Sequence, residues 1–474
     1  MRDAADSAPA ARAADRASGA ADAIALAGAV AFGIAVIRAV LVAALLICTI
    51  GAVPAEQQWV LINDIHLDPF DRSSVAEPGE DTNVALWDTV LAELRRRPQP
   101  SVVVLGGDFL AHHFSDLARQ NGQNPERAAL QTMRTIAHSL GQTFPKAQFV
   151  VALGNNDDPC GDYRSETGGA YQRQLTRIWE PLVNRGGAAP DFAMEFYHGG
   201  YYTAQLPAAH ERAVVLNSVL WSFVYSGGCA SSTRAAGARE LAWLSATLQH
   251  VPRAVLVMHM PPGYDPSSTT KAHRLLAVPF LSGAANRQFL GILTHNAARV
   301  PFALAAHTHR YDFRIAGGVP LLIGSAVSPV YNNNPAFYEL HVDAGGALHD
   351  IVPVFYDQDE DVWREGVSFD RMYAVDSFSA ANLARIAARI ADQPDVRSAW
   401  MAAYDVWTDR MNDVSDHSWS VFSCAQTQLG SGYASCAGTQ RRTQWAIGAL
   451  AVAALAAVAL VVVLIRVRLS LRRL

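Results

Sequence analysis

The chain has 474 residues, a formal net charge of -5, and only two lysines, Lys146 and Lys271, among its 38 basic residues. That length holds two or three average domains or one large α/β unit, so a sizeable core is available. With a mildly acidic balance and no basic stripe, no nucleic-acid binding surface is expected.

From Ala23 to Ala55 the chain is apolar but broken by Arg38. The part after Arg38 reads as the apolar region of an export signal and closes on Val53-Pro54-Ala55, a small-residue cleavage pattern. Residues 1–55 are therefore expected to be a signal peptide or an N-terminal anchor region; in one reading the true start lies near Val36.

Between the two ends of the chain, short β-branched runs alternate with amphipathic segments. Strands are predicted over Trp59–Asn63, Val102–Leu105, Phe149–Leu153, Val214–Val219, Ala254–Met258 and Pro301–Ala305. Helices are predicted over Thr82–Arg97, Arg127–Leu140, Ala170–Val183 and Arg239–His250. This alternation predicts an α/β layered fold. From Asp312 the pattern turns strand-rich, with Tyr338–Val342 and His349–Tyr356 joined as a hairpin through Ala344-Gly345-Gly346. A catalytic domain is expected over residues 56–357, and a helical, loop-rich C-terminal subdomain over residues 358–440.

Trp445 to Ile465 is an uncharged stretch of 21 residues, the length a helix needs to cross about 30 Å of hydrocarbon. Arg466, Arg468, Arg472 and Arg473 follow it and should stay cytoplasmic. A transmembrane helix over 445–465, a cytoplasmic basic tail over 466–474 and a catalytic domain outside the cytoplasm, on the periplasmic or extracellular face, are the expectation. Cysteine usage agrees with export. Cys48 lies in the signal region; neighbouring position pairs Cys424 with Cys436 and, by elimination, Cys160 with Cys229.

Six short segments end apolar runs with metal-ligand residue types: Asp64-Ile65-His66, Gly107-Asp108, Gly154-Asn155-Asn156-Asp157, His259, His307 and His309. In an extended segment residues i and i+2 point the same way, so Asp64 and His66 can reach one ion; His307 and His309 have the same spacing. Open α/β sheets gather such loops at the carboxyl ends of their strands. Together the set supplies ligands for two ions, and ions about 3.5–4 Å apart can hold the attacking and leaving oxygens of an in-line displacement at phosphorus. Nine other histidines, His138 and His250 among them, read as surface or core groups.

The order Asp-x-His, Gly-Gly-Asp, Gly-Asn-x-Asp, His, His-x-His resembles the calcineurin-like metallophosphoesterases. Finer matches resemble their acid sphingomyelinase-like phosphodiesterase branch: Asn63 to Asp68, Asp108 with His112 four residues on, His259-Met260-Pro261-Pro262-Gly263, His307 to Phe313, and Ser328 to Phe337. The resemblance spans about residues 57–357. It implies a layered β-sandwich flanked by helices. It also implies two divalent ions, zinc foremost with manganese or iron as alternatives: one held by Asp64, His66 and His309, the other by Asn155, His259 and His307, with Asp108 shared.

The implied activity is hydrolysis of a phosphodiester by a metal-activated water. Asn156 stands where the family usually has histidine, which leaves proton donation to His112 or charge stabilisation to the Asn156 amide. Tyr331 and Asn333 are expected to bind substrate. No lipid-binding saposin segment precedes the catalytic region, so phosphodiesters or phosphoanhydrides that are soluble or exposed as lipid head groups are the expected substrates. An endopolyphosphatase or phosphomonoesterase on the same centre, or a non-catalytic metal-stabilised binding ectodomain, are the alternatives.

Overall fold

A computed structural model describes Arg38 and residues 56–438, except 208–210, 228–234, 275 and 411–412. The rest of the expected signal or anchor region, the expected membrane helix, the basic tail and Cys229 lie outside the described residues. Among the described residues no helix is long and apolar enough to cross a membrane.

Two six-stranded sheets dominate the described residues. In chain order their strands are β1 (Gln57–Ile62), β2 (Val102–Leu105), β3 (Gln148–Val151), β4 (Tyr202–Gln205), β5 (Glu211–Val215) and β6 (Arg253–Val257). They continue with β7 (Ala303–Ala305), β8 (Asp312–Ala316), β9 (Val319–Ile323), β10 (Ala336–Val342), β11 (Leu348–Asp357) and β12 (Val362–Glu365). The first sheet has the order β12-β11-β10-β1-β2-β3 and the second β8-β9-β7-β6-β5-β4. Strands β1, β2 and β3 run parallel, as do β5, β6, β7 and β9.

The sheets share one core. The Trp59 ring of β1 stands 5.7 Å from that of Phe302, just before β7, and Leu61, Val255, Val257 and Leu322 belong to the same buried cluster. Helices cover the outer faces, which is why β2 and β3 are buried along their whole length and read as unbroken apolar runs. Val84–Arg96 shows how such a helix is specified. The Asn83 side chain caps it by accepting from the Leu86 N–H at 3.0 Å, and Leu86, Val90, Leu91 and Leu94 form its buried face.

Two expectations change. The predicted strand Val214–Val219 stops at Val215, because the Asn217 N–H donates to buried Glu240 Oε1 at 2.6 Å and Ser218–Trp221 closes into a 3-10 turn. The segment after 357 is also less separate than expected. β12 extends the first sheet, and Phe369, Leu383, Trp400 and Phe422 lie in the cluster that holds Trp59. Cys424 and Cys436 are disulfide-bonded, as the sequence predicts, and Cys160 is disulfide-bonded as well.

Candidate metal centre

Asp64 and His66 follow β1, Asp108 follows β2, Asn155 follows β3, His259 follows β6, and His307 and His309 follow β7. Every one lies past the carboxyl end of a parallel strand, three groups from the first sheet and two from the second. Asn63 fastens the two sheets here, its Nδ2 donating to the Ala305 and Gly324 carbonyls at 3.2 and 3.1 Å. The loops approach closely: a Cβ at Gly154 would sit 2.1 Å from Asp108 Oδ1, and Gly107 has φ of +96°. Only glycine fits both positions.

Five of the seven ligand candidates are non-glycine residues with positive φ: Asp64, His66, Asp108, His307 and His309. Each such conformation costs about 1–2 kcal/mol and persists only where its surroundings dictate it. The surroundings here are hydrogen bonds. The Asp64 N–H donates to Gly107 O at 3.1 Å, the His66 N–H to Asp108 O at 2.9 Å, and the His307 N–H to the Asp64 carboxylate at 3.1 Å. The Asp157 carboxylate accepts from the backbone N–H groups of Asp108, Phe109 and Gly154 at 3.0, 2.7 and 2.7 Å, which welds the β2 and β3 loops together.

The side chains converge in two groups that can hold metal: Asp64, His66 and His309, and Asp108, His259 and His307. Their hydrogen bonds fix the tautomers. His66 Nδ1 faces Leu110 O at 3.0 Å and His259 Nδ1 faces Gly106 O at 2.9 Å; a carbonyl only accepts, so both nitrogens carry hydrogen. The Nε2 atoms then point inward, where a metal ion would meet them. His66 Nε2 lies 3.2 Å from His309 Nε2, and His259 Nε2 lies 3.2 Å from His307 Nδ1. Asp108 Oδ2 sits between the groups, 3.3 Å from His66 Nε2 and 3.4 Å from His259 Nε2.

Asn155 adds a neutral oxygen to the second group. Its Nδ2 donates to Asp162 Oδ1 at 2.6 Å, which leaves Oδ1 facing His259 Nε2 at 2.9 Å. A third grouping, His66, Asp81 and His112, offers no comparable cluster of free lone pairs, because His112 Nδ1 already donates to Asp81.

Burial depresses the His66 imidazole to about 4, and burial together with neighbouring His259 takes His307 to about 3. His309 is held well below its ordinary value by burial and by His66. These rings are neutral at neutral pH, the form that binds metal. Burial also pushes the Asp64 carboxyl up to about 8. For His259 burial works downward, but the Asp108 carboxylate outweighs it and the ring reaches about 9.

His112 stacks on His66, ring centroids 4.2 Å apart, and its Nδ1 donates to Asp81 Oδ1 at 2.9 Å while its N–H donates to Asp81 Oδ2 at 2.7 Å. Burial opposes the charged ring, but Asp81 raises its pKa above the ordinary value. Asn156 is turned toward Asp108, its N–H donating to Oδ1 at 2.8 Å and its Nδ2 to Oδ2 at 3.0 Å. A cleft of about 250 Å³ opens beside His307, with Tyr163 and Tyr331 among its lining residues. Tyr331 is half exposed, its ring edge-on to His309 at 4.8 Å.

Asn333 departs from its expected role in substrate binding. It is fully buried and donates to the Ser328 and Asn334 carbonyls at 3.0 and 3.2 Å, so it shapes the loop that presents Tyr331. Sequence reasoning also missed Asp81 and Asp162, which orient His112 and Asn155. Asp81 lies two residues before the helix cap Asn83, where the visible signal is helix initiation.

Residues 59–311 match the sequence profile of the calcineurin-like phosphoesterases. The chain belongs to this family and is a hydrolase acting on phosphate esters. It is also similar to the sphingomyelinase phosphodiesterase D of Dictyostelium discoideum, with 24% identity over 325 residues that cover 63% of this chain and 67% of that protein. Among solved structures, GAP50, the anchor in the inner membrane complex of Plasmodium, aligns at 9% identity and TM-score 0.34, covering 66% of this chain and 88% of its own. The phosphopantetheinyl hydrolase of Mycobacterium tuberculosis aligns at 14% identity and TM-score 0.29, covering 58% and 91%. Nothing about function follows from such scores.

Proposed function

We propose that this chain is a phosphodiesterase of the acid sphingomyelinase-like type, working with two divalent ions on a substrate exposed outside the cytoplasm. The observation that carries the reading is the meeting of ligand atoms around Asp108 Oδ2, with Nε2 of His66 and of His259 at 3.3 and 3.4 Å. The neutral His66 lone pair and the carboxylate oxygen at such spacing repel one another unless positive charge, a metal ion or the His259 proton that it would displace, lies close by. Asp64, His66 and His309 would hold one ion, Asn155, His259 and His307 the other, and Asp108 both. Zinc suits the imidazole-rich set.

Bound there, the ions would supply Lewis-acid charge for the phosphate oxygens and would lower the pKa of a water. The chain's own residues do the rest. His112, held by Asp81 with Nδ1–H occupied, carries its second proton on Nε2 and delivers it to the leaving oxygen. Asn156 keeps the Asp108 carboxylate in place through two hydrogen bonds. Tyr331 and Tyr163 flank the cleft, where a ring can stack against a base or a cationic head group.

The charge pattern of residues 445–474 supports a tether that leaves the catalytic domain outside the cytoplasm. The test of the activity is a comparison of bis-p-nitrophenyl phosphate with p-nitrophenyl phosphate, with and without added zinc or manganese. A preference for the diester that a chelator abolishes is expected. Hydrolysis of the monoester alone would move the assignment to a phosphomonoesterase.

A further inference from the structure

A histidine that ligates metal ordinarily donates its other ring N–H to a carbonyl or carboxylate, which fixes the ring. His66 and His259 do so, through Leu110 O and Gly106 O. His309 does not: its Nδ1 is buried and has no hydrogen-bond partner. Something other than its ring must hold it, the more so because its φ is +55°.

What grips His309 is its carbonyl. Arg310 Nη1 donates to His309 O at 3.0 Å, and Ser325 Oγ donates to the same oxygen at 3.0 Å. The rest of the buried Arg310 guanidinium leaves the loop altogether. Its Nη2 donates to Asp413 Oδ2 at 2.8 Å, and its Nε faces Asp405 Oδ1 at 3.8 Å. One residue further on, the Tyr311 N–H donates to Tyr404 O at 3.3 Å. The chain segment after β12 therefore anchors the end of the His307–His309 loop through the Arg310 side chain and the Tyr404 carbonyl.

We propose that Arg310 is a positioning residue of the metal centre, which clamps the His309 carbonyl to Asp413 and so stands in for the missing hydrogen bond on the His309 ring. The proposal rests on the dinuclear reading above. It assigns the C-terminal segment a part in metal binding, although that segment supplies no ligand of its own to the set. A guanidinium suits the task because its planar fork can reach two acceptors at once, which an ammonium cannot match in geometry.

Calorimetric titration of the metal-free full chain with zinc tests this. In Arg310→Met one of the two binding steps should weaken by about 10–100-fold, as outer partners of metal ligands typically contribute, while the other step keeps its affinity. Arg310→Lys should restore part of the loss. Because Arg310→Met could fail to fold, Asp413→Ala serves as a second variant: it removes the acceptor at the far end of the clamp at a partly exposed site and should weaken the same step. Wild-type affinity at both steps in folded Asp413→Ala, or equal weakening of both steps in folded Arg310→Met, would overturn the proposal. Failure of the wild-type chain itself to bind two ions would instead contradict the dinuclear reading.

Discussion

Asn155 Oδ1 lies 2.9 Å from His259 Nε2, and the outer contacts of both side chains, Asp162 and Gly106 O, leave acceptor facing acceptor when the ring is neutral. A proton or a metal ion must therefore sit between them. In the metal-free protein it is a proton, since His259 is raised to about 9; Asp64, raised to about 8, also holds one at neutral pH. Metal must displace these protons, so its affinity should rise with pH through neutrality and level off as pH passes about 9. Calorimetry in two buffers of different ionisation enthalpy should find net proton release at pH 7. Absence of release would mean that metal binds elsewhere.

His112→Ala should lower kcat about 10²–10⁴-fold on substrates with poor leaving groups, the usual worth of general-acid help. Metal content should be unchanged, because His112 touches His66 by stacking and is not in either ligand group. A nitrophenyl leaving group needs no proton and should suffer far less. An equal loss on both substrates would reassign His112 to substrate binding.

Asp81→Asn should shift the alkaline limb of kcat to lower pH. The sign follows from the pair. Asp81 raises the His112 pKa, so the protonated donor persists above the ordinary imidazole value and is lost as pH climbs through the raised one. Removing the carboxylate charge brings that loss to lower pH. An unmoved alkaline limb would show that some other group titrates there.

The cysteines and the chain ends carry the expectation of export. Free-thiol counting on the non-reduced protein should find none of Cys160, Cys229, Cys424 and Cys436 reactive. Opening Cys424–Cys436, which are 12 residues apart in sequence, should cost about 3 kcal/mol of stability, as for loops of similar length. A reporter fused after Leu474 should read as cytoplasmic. A reporter active only outside would reverse the topology drawn from the arginine tail.

The ligands were legible because metal chemistry admits few residue types, and the fold delivers them at strand ends that apolar runs already mark. Asp64, Asp108, His259 and the His307–His309 pair all follow strands predicted within a few residues of those observed. The residues that hold the ligands were not legible. Asp81 reaches His112 across 31 positions, and Asp413 reaches Arg310 across 103. Neither contact leaves a periodic or local trace, since only the tertiary fold brings the partners together. Asn333 failed for a related reason: its place in a polar loop suggested substrate, while its amide serves two carbonyls of that same loop.

Metal content measured by elemental analysis tests the central claim most directly. The wild-type chain, expressed with adequate zinc or manganese, should carry two divalent ions. Asp108→Ala should lose most of both, because Asp108 Oδ2 faces His66 in one ligand group and His259 in the other. Fewer than about one ion per wild-type chain, or an Asp108→Ala variant that keeps both, would contradict the account.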